Sequence, residues 1–324
     1  MIKILANDGI DKSGKDLLEA AGFSVDTQNI PQDQLVDRLN EYDAILVRSA
    51  TKVRQELIDA CPKLKLIGRG GVGMDNIDVQ YARDKGLTVV NTPGASSISV
   101  AELVFSHLFS LARNLHMANR EMPTKGISDF GKLKKKYSKG FELRGKTMGI
   151  IGFGRIGQEV ARMAIGMGMD VYAYNLTPYT AEITFDFPPH ITNASFKVPI
   201  NATTKEEVLK VADFVTLHVP HAGGKAVIGK EEIALMKDNA VLINCARGGV
   251  IDEDALLEAL ASGKLHSAGL DVFENEPTPK EALVNNPKIS STPHIGAATA
   301  EAQERVGIEL AEQIIETFKK LELV

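Results

Sequence analysis

Short uninterrupted apolar runs alternate with stretches of helical period along most of the chain. This is the pattern of buried parallel strands joined by covering helices. In the first hundred residues, 2–6, 44–47, 66–68 and 88–90 read as strands, with helices at 14–21 and 55–60 among them. Further on, 149–152, 171–174, 214–219, 241–244 and 267–270 read as strands and 254–261 as a helix. Residues 100–113 are apolar around most of the circumference, which predicts a helix buried between domains or between subunits. Residues 123–141 break the pattern and read as a loop carrying Lys132, Lys134, Lys135, Lys136 and Lys139. Residues 184–204 hold Pro188, Pro189 and Pro199 without a clear period, and read as an excursion longer than such connections need. A helix over 300–320 closes the pattern, with no further domain expected after it.

The 148–157 run Met-Gly-Ile-Ile-Gly-Phe-Gly-Arg-Ile-Gly leads an apolar strand into G-x-G-x-x-G and then a helix. Gly152 serves the tight turn, Gly154 lets a pyrophosphate approach the backbone, and Gly157 lets helix and strand pack closely. The helix start, with Arg155 and Ile156, offers free N–H groups to the anion. A dinucleotide-binding unit usually ends its second strand with an acid for the ribose 2′-hydroxyl. Here that position is Asn175. Asp170 lies at the wrong end of the strand to replace the acid, roughly 16 Å away at ~3.3 Å per residue. No Arg or Lys follows in 176–179 to attract a 2′-phosphate, so NAD is expected over NADP.

A length of 324 residues suits two domains. The net charge of −5 supplies no general attraction to nucleic acid or anionic membrane. Cys61 and Cys245 have neither the spacing of a metal site nor the number of a disulfide framework, which favours a reducing, cytoplasmic setting and no bound metal. No apolar run reaches the ~18 residues of a membrane span.

Three segments follow late strands, where open α/β sheets keep their ligands: Asn-Cys-Ala-Arg-Gly-Gly-Val-Ile-Asp at 244–252, Gly-Leu-Asp-Val-Phe-Glu-Asn-Glu-Pro at 269–277, and Ser-Thr-Pro-His-Ile-Gly-Ala-Ala-Thr at 291–299. Oxidising a 2-hydroxy acid needs a cation for the carboxylate and a base for the hydroxyl proton. The planar fork of Arg247 suits the first and His294 the second. A carboxylate such as Glu276 would orient that imidazole and stabilise its cation.

With these segments the chain resembles the D-isomer-specific 2-hydroxyacid dehydrogenases. RSATKV at 48–53 and GRGGVGMDNID at 68–78 point to the phosphoglycerate dehydrogenase branch. The resemblance implies an α/β fold of two Rossmann-like doubly wound parallel-sheet domains with a cleft between them. A discontinuous, flavodoxin-like substrate domain would comprise 1–99 and 295–324, and an NAD-binding domain 100–294. It implies Arg247, Glu276 and His294 as catalytic residues. Val72, Val219, Cys245, Ala246, Asp271, Gly296 and Ala297 would line the cofactor, which Arg247 and His294 also border. Amides of Val72 and Gly73 would bind the substrate carboxylate, and Arg48, Ser49 and Arg69 a phosphorylated substrate. Lys135 would contribute across a homodimer formed through 100–113 and the loop after it. The activity implied is NAD-dependent oxidation of 3-phospho-D-glycerate to 3-phosphohydroxypyruvate, the first step of serine synthesis, without serine inhibition through added regulatory domains. Two alternatives stay open: a glyoxylate or hydroxypyruvate reductase, or other D-2-hydroxyacid dehydrogenase, and a nucleotide-sensing binding protein akin to the C-terminal-binding-protein corepressors.

Overall fold

The computed structural model describes residues 1–187, 190–192, 194–221 and 223–321. The chain forms two compact units, Met1–Ser99 with Ala297–Val324, and Val100–Gly296. The second crossing thus falls two residues later than the 294/295 boundary expected from sequence.

The first unit is a parallel sheet of β1 (Lys3–Ala6), β2 (Ser24–Asp26), β3 (Ala44–Val47), β4 (Leu66–Arg69) and β5 (Thr88–Asn91). Its order is β2-β1-β3-β4-β5, the flavodoxin-like order with a switch point between β1 and β3. Strand β3 is buried at every residue, which is why it reads as a continuous apolar run. Strand β2 has three residues and one buried side chain, too little pattern to read. Helix Ala300–Lys320 returns to this unit and buries Leu310, Ile314 and Phe318 with Leu18, Leu46 and Leu66. It crosses helix Lys12–Ala20 at a pair of glycines. A Cβ on Gly14 would stand 2.4 Å from the Gly307 carbonyl oxygen, so a side chain there would force the helices apart.

The second unit holds β6 (Thr147–Ile151), β7 (Asp170–Tyr174), β8 (Thr180–Asp186), β9 (Ser195–Thr203), β10 (Phe214–Leu217), β11 (Ala240–Asn244), β12 (Leu265–Leu270) and β13 (Ile289–Ser291). Their order is β13-β12-β11-β10-β6-β7-β9-β8. The middle six strands reproduce the 3-2-1-4-5-6 order of a dinucleotide-binding sheet, with its switch point between β6 and β10. Helix Ser97–Ala112 buries Val104, Phe105, Leu108 and Leu111 in the same core as Met148, Ile150, Val241 and Ile243. The apolar circumference of this helix is accounted for chiefly by the sheet of its own unit.

Two expectations are corrected. Within the stretch 184–204, residues 184–186 and 195–203 belong to an antiparallel hairpin of β8 and β9, in register from Thr180 opposite Asn201 to Asp186 opposite Ser195. Ala181, Ile183 and Ile200 supply its buried face. Strand β9 meets β7 only at Ala202 and Thr203, so Pro199 costs no ladder hydrogen bond on that side. Pro188 and Pro189 lie outside the described residues. The stretch 123–141 is not simply a loop: Pro123 lies within helix Leu115–Lys125, and helix Phe130–Lys136 follows. Lys125 and Lys136 both pair with Glu121 at 2.8 Å, a clamp that local periodicity cannot reveal. Among the described residues no helix is long and apolar enough to cross a membrane.

Candidate active site

At the β6–β10 switch point the glycine loop has a steric reason for two of its three glycines. Gly152 has φ +97°, and a Cβ on it would lie 2.5 Å from the His218 carbonyl oxygen and 2.8 Å from Val219 Cγ1. A Cβ on Gly157 would lie 2.4 Å from the Gly152 carbonyl oxygen. Gly154 is the N-cap of helix Arg155–Gly166 and has open space beside it. A helix start with free N–H groups and an unobstructed glycine fits a pyrophosphate. Arg155 is exposed and Ile156 half-buried in the first turn.

Asn175 follows β7. Its Oδ1 accepts from the Phe153 amide at 3.3 Å and its Nδ2 donates to the Thr177 carbonyl at 3.1 Å. The Tyr179 hydroxyl donates to the Phe153 carbonyl, and the Gln158 amide donates to Tyr179 Oη at 3.0 Å. Asn175 therefore shapes the glycine loop. Asp170 pairs with Thr147 at the opposite end of the strands.

After β11, the Asn244 side chain accepts from the Ala246 amide at 3.0 Å and donates to the Arg247 carbonyl at 2.8 Å, folding the turn that carries Arg247. Arg247 Nη1 donates to the Ala246 carbonyl at 2.7 Å. A Cβ on Gly248 would overlap the Phe273 carbonyl oxygen at 1.9 Å, so glycine lets this turn close onto the segment after β12. Glu253, buried and with its carboxyl pushed up by that burial, ties the same segments by accepting from the Glu274 amide at 2.9 Å. Cys245 is buried, and burial with the nearby Asp271 carboxylate holds its thiol well above its ordinary value.

Asp271, at 1% exposure, fastens the loop after β13. Its Oδ1 accepts from Thr292 Oγ1 at 2.6 Å and the Ile295 amide at 2.8 Å, and its Oδ2 from the Gly296 amide at 2.8 Å. Its carbonyl accepts from the His294 amide at 2.8 Å. Of the roughly four acceptor positions of a carboxylate, three are taken, which leaves room for one ligand donor. His294 sits at φ +55°, a conformation that costs a non-glycine residue about 1–2 kcal/mol. Its Nδ1 lies 2.7 Å from Glu276 Oε2, while Glu276 Oε1 accepts from the Phe273 amide at 3.0 Å. With Nδ1–H donating to the carboxylate, Nε2 is left with the lone pair. The two side chains are 45% and 37% exposed, so that nitrogen is reachable. Glu274 instead turns to Lys280, 3.9 Å away. An apolar cavity of about 400 Å³ adjoins the pair, lined by Phe273, Pro277, Val284, Thr292 and Pro293.

The second unit thus gathers Gly152, Gly154, Arg155, Ile156, Gly157, Asn175 and Val219 at one loop cluster. Cys245, Ala246, Arg247, Asp271, Glu276, His294 and Gly296 lie on the turns after β11, β12 and β13. In the first unit, Arg48 and Ser49 follow β3 on a loop pinned by Asp8, whose Oδ2 accepts from the Arg48 amide at 2.7 Å, and by Asn76, which donates to the Arg48 carbonyl at 2.9 Å. Arg69 ends β4, and its guanidinium lies where a Gly71 Cβ would stand, 1.6 Å from Nη1. Val72 is exposed, Gly73 is half-buried, and the Val72 carbonyl accepts from Asn91 at 2.7 Å. Ala297 opens the returning segment of this unit, its carbonyl accepting from Gln303 at 2.6 Å. Lys135 is exposed on helix Phe130–Lys136, away from these turns in sequence. Sequence reading missed Glu253 and His107; the one signal for His107 was an imidazole within an otherwise strongly apolar helix.

Residues 105–296 match the family profile "D-isomer specific 2-hydroxyacid dehydrogenase, NAD binding domain". A hydroxypyruvate reductase of Thermotoga maritima is 44% identical over 324 residues, covering 98% of each chain. A D-3-phosphoglycerate dehydrogenase of Methanocaldococcus jannaschii is 44% identical over 315 residues, 97% of this chain but 57% of that protein, so this chain spans little more than half its length. Among solved structures, a D-lactate dehydrogenase of Aquifex aeolicus complexed with NAD and lactic acid aligns with TM-score 0.75 at 28% identity, covering 99% of this chain and 97% of that one.

Proposed function

Because the chain belongs to the D-isomer-specific 2-hydroxyacid dehydrogenase family, we propose that it interconverts a three-carbon D-2-hydroxy acid and its 2-oxo acid. The observation that carries this reading is the 2.7 Å His294–Glu276 pair on a loop fastened by Asp271. NAD, when bound, supplies the hydride acceptor; Gly152, Gly154 and the helix start at Arg155 would hold its pyrophosphate. His294 Nε2 takes the hydroxyl proton, and Glu276 stabilises the resulting imidazolium at Nδ1. Arg247 binds the substrate carboxylate through its fork. Val219, Cys245, Ala246, Asp271 and Gly296 are proposed to line the cofactor. For the first unit we propose cofactor contacts at Val72 and Ala297, and substrate contacts at Arg48, Ser49, Arg69, Val72 and Gly73.

Within this class we propose 3-phospho-D-glycerate as the substrate, which makes the reaction the first step of serine synthesis. Arg48, after β3, and Arg69, at the end of β4, are cations that support it. Similarity across the whole of the Thermotoga protein favours a second reading, the reduction of hydroxypyruvate. Exposed Phe109, Leu115, Met122 and Phe130 support a homodimer through 100–113 and the segment after it, with Lys135 reaching a substrate phosphate bound by the partner. Kinetics on 3-phosphoglycerate and D-glycerate with NAD test the reading. A strong preference for the phosphorylated acid is expected. Similar kcat/KM for both removes the phosphate from the proposal, and no turnover of any 2-hydroxy or 2-oxo acid removes the reaction class.

A further inference from the structure

His107 is 2% exposed, on the face of helix Ser97–Ala112 that packs on the sheet. It occupies space left by Gly269 of β12, where an added Cβ would lie 2.8 Å from its own. Both ring nitrogens are engaged: Nδ1 stands 2.9 Å from Ser290 Oγ and Nε2 3.1 Å from Thr292 Oγ1. The direction of these bonds follows from proton counting. A carboxylate only accepts, so the single hydroxyl proton of Thr292 goes to Asp271 Oδ1, 2.6 Å away. Thr292 Oγ1 must then accept from His107, which makes His107 the Nε2–H tautomer. Its Nδ1 in turn accepts the Ser290 hydroxyl. Burial pushes this imidazole down to about 4, so the ring stays neutral near pH 7, with one donor and one acceptor.

We propose that His107 is a positioning residue for His294, the first donor in a relay through Thr292 and Asp271 that fixes the left-handed His294 backbone. The relay ends where Asp271 takes the amides of Ile295 and Gly296 and its carbonyl takes that of His294. Neutral His107 donates to the oxygen of the hydroxyl that Asp271 has already oriented, and so holds the Thr292 side chain in place; without it, Thr292 keeps only its bond to Asp271 and the loop loses one restraint. The inference rests on the acid–base role proposed for His294.

The test compares variants that keep and lose the Nε2-side donor. His107→Gln retains an N–H near Nε2, whereas His107→Asn reaches only the Ser290 side. Asn is expected to lower kcat roughly 10- to 100-fold, the scale of a misplacement of about 1 Å, with KM unchanged and Gln restoring kcat. Thr292→Val should reproduce the Asn effect, and the two changes together should not add. Nitrogen-15 spectroscopy of the native imidazole is expected to show the Nε2–H form. An Nδ1–H ring overturns the relay, as does a His107→Asn enzyme with native kcat or an equal loss in Asn and Gln. Native enzyme with no turnover on any 2-hydroxy acid would instead strike the role of His294, and the ring spectrum would still judge the relay.

Discussion

Asp271→Asn is the sharpest probe of how this site is held. The change is isosteric, but one oxygen becomes an NH2 group. The orientation that loses least keeps an oxygen on Thr292 and Ile295 and turns the NH2 toward the Gly296 amide, 2.8 Å from the present Oδ2. Two donors then face each other at a residue 1% exposed. The lost hydrogen bond to a charged acceptor is worth about 1.5–3 kcal/mol and the orphaned buried amide costs about 1–3 kcal/mol. Relief from burying a charge returns part of this, leaving a net loss of about 3 kcal/mol. At a urea slope of about 3 kcal/mol/M the midpoint should fall by about 1 M. The two units need not unfold together, so hydrogen exchange at Ile295 and Gly296 should be followed alongside the midpoint, and both amides should lose protection. A midpoint within about 0.2 M of the native one, with Gly296 still protected, would show that Asp271 does not fasten this loop.

Further expectations concern the cofactor loop and acid stability. Gly157→Ala drives a Cβ to 2.4 Å from the Gly152 carbonyl oxygen and should weaken NADH binding at least about tenfold, or about 1.4 kcal/mol; fluorescence titration giving native affinity would refute it. Asn175→Asp keeps an acceptor for the Phe153 amide and adds a charge that repels a 2′-phosphate, so kcat/KM should move further toward NAD over NADP. An unchanged ratio would mean that the ribose is held elsewhere. His107 lies at about 4 when folded against an ordinary 6.5. Above pH 6.5 it contributes no penalty; as the pH falls toward 4 the unfolded chain takes a proton that the folded one refuses. Stability is lost across that window, by about 3 kcal/mol. His107→Gln should be less acid-sensitive, by about 2.4 kcal/mol between pH 7 and 4.5 in denaturation, and parallel losses in both proteins would exclude His107 as the source.

The residues that read most clearly were those whose chemistry or burial is local. Strands β3, β10 and β11 are buried at every position, so their apolar runs stand out. The glycines at 152, 154 and 157 announce a turn before a helix, and at 152 and 157 close contacts within a few residues demand them. Strand β2, the β8–β9 hairpin and helices Leu115–Lys125 and Phe130–Lys136 were missed or misread. Their partners lie outside the local window: Ser24–Asp26 pairs with β1, β8 with β9, and Lys136 of the lysine-rich helix with Glu121.

The same division runs through the site. Arg247, Glu276 and His294 were recognisable by residue type and by their positions after late strands. That Glu276 and His294, 18 residues apart, meet at 2.7 Å was decided by the turns that β12 and β13 place side by side. Asp271 was expected beside a cofactor, whereas its anchoring of the His294 loop was not legible. His107 is joined to Thr292 across 185 residues by the packing of one helix on a sheet. The sequence alone determined the class of fold and the dinucleotide loop and offered candidates for the reacting side chains, because these depend on short-range period and residue chemistry. Only the tertiary structure decided which side chains hold the reacting ones, because strand order and helix packing choose neighbours without regard to distance along the chain.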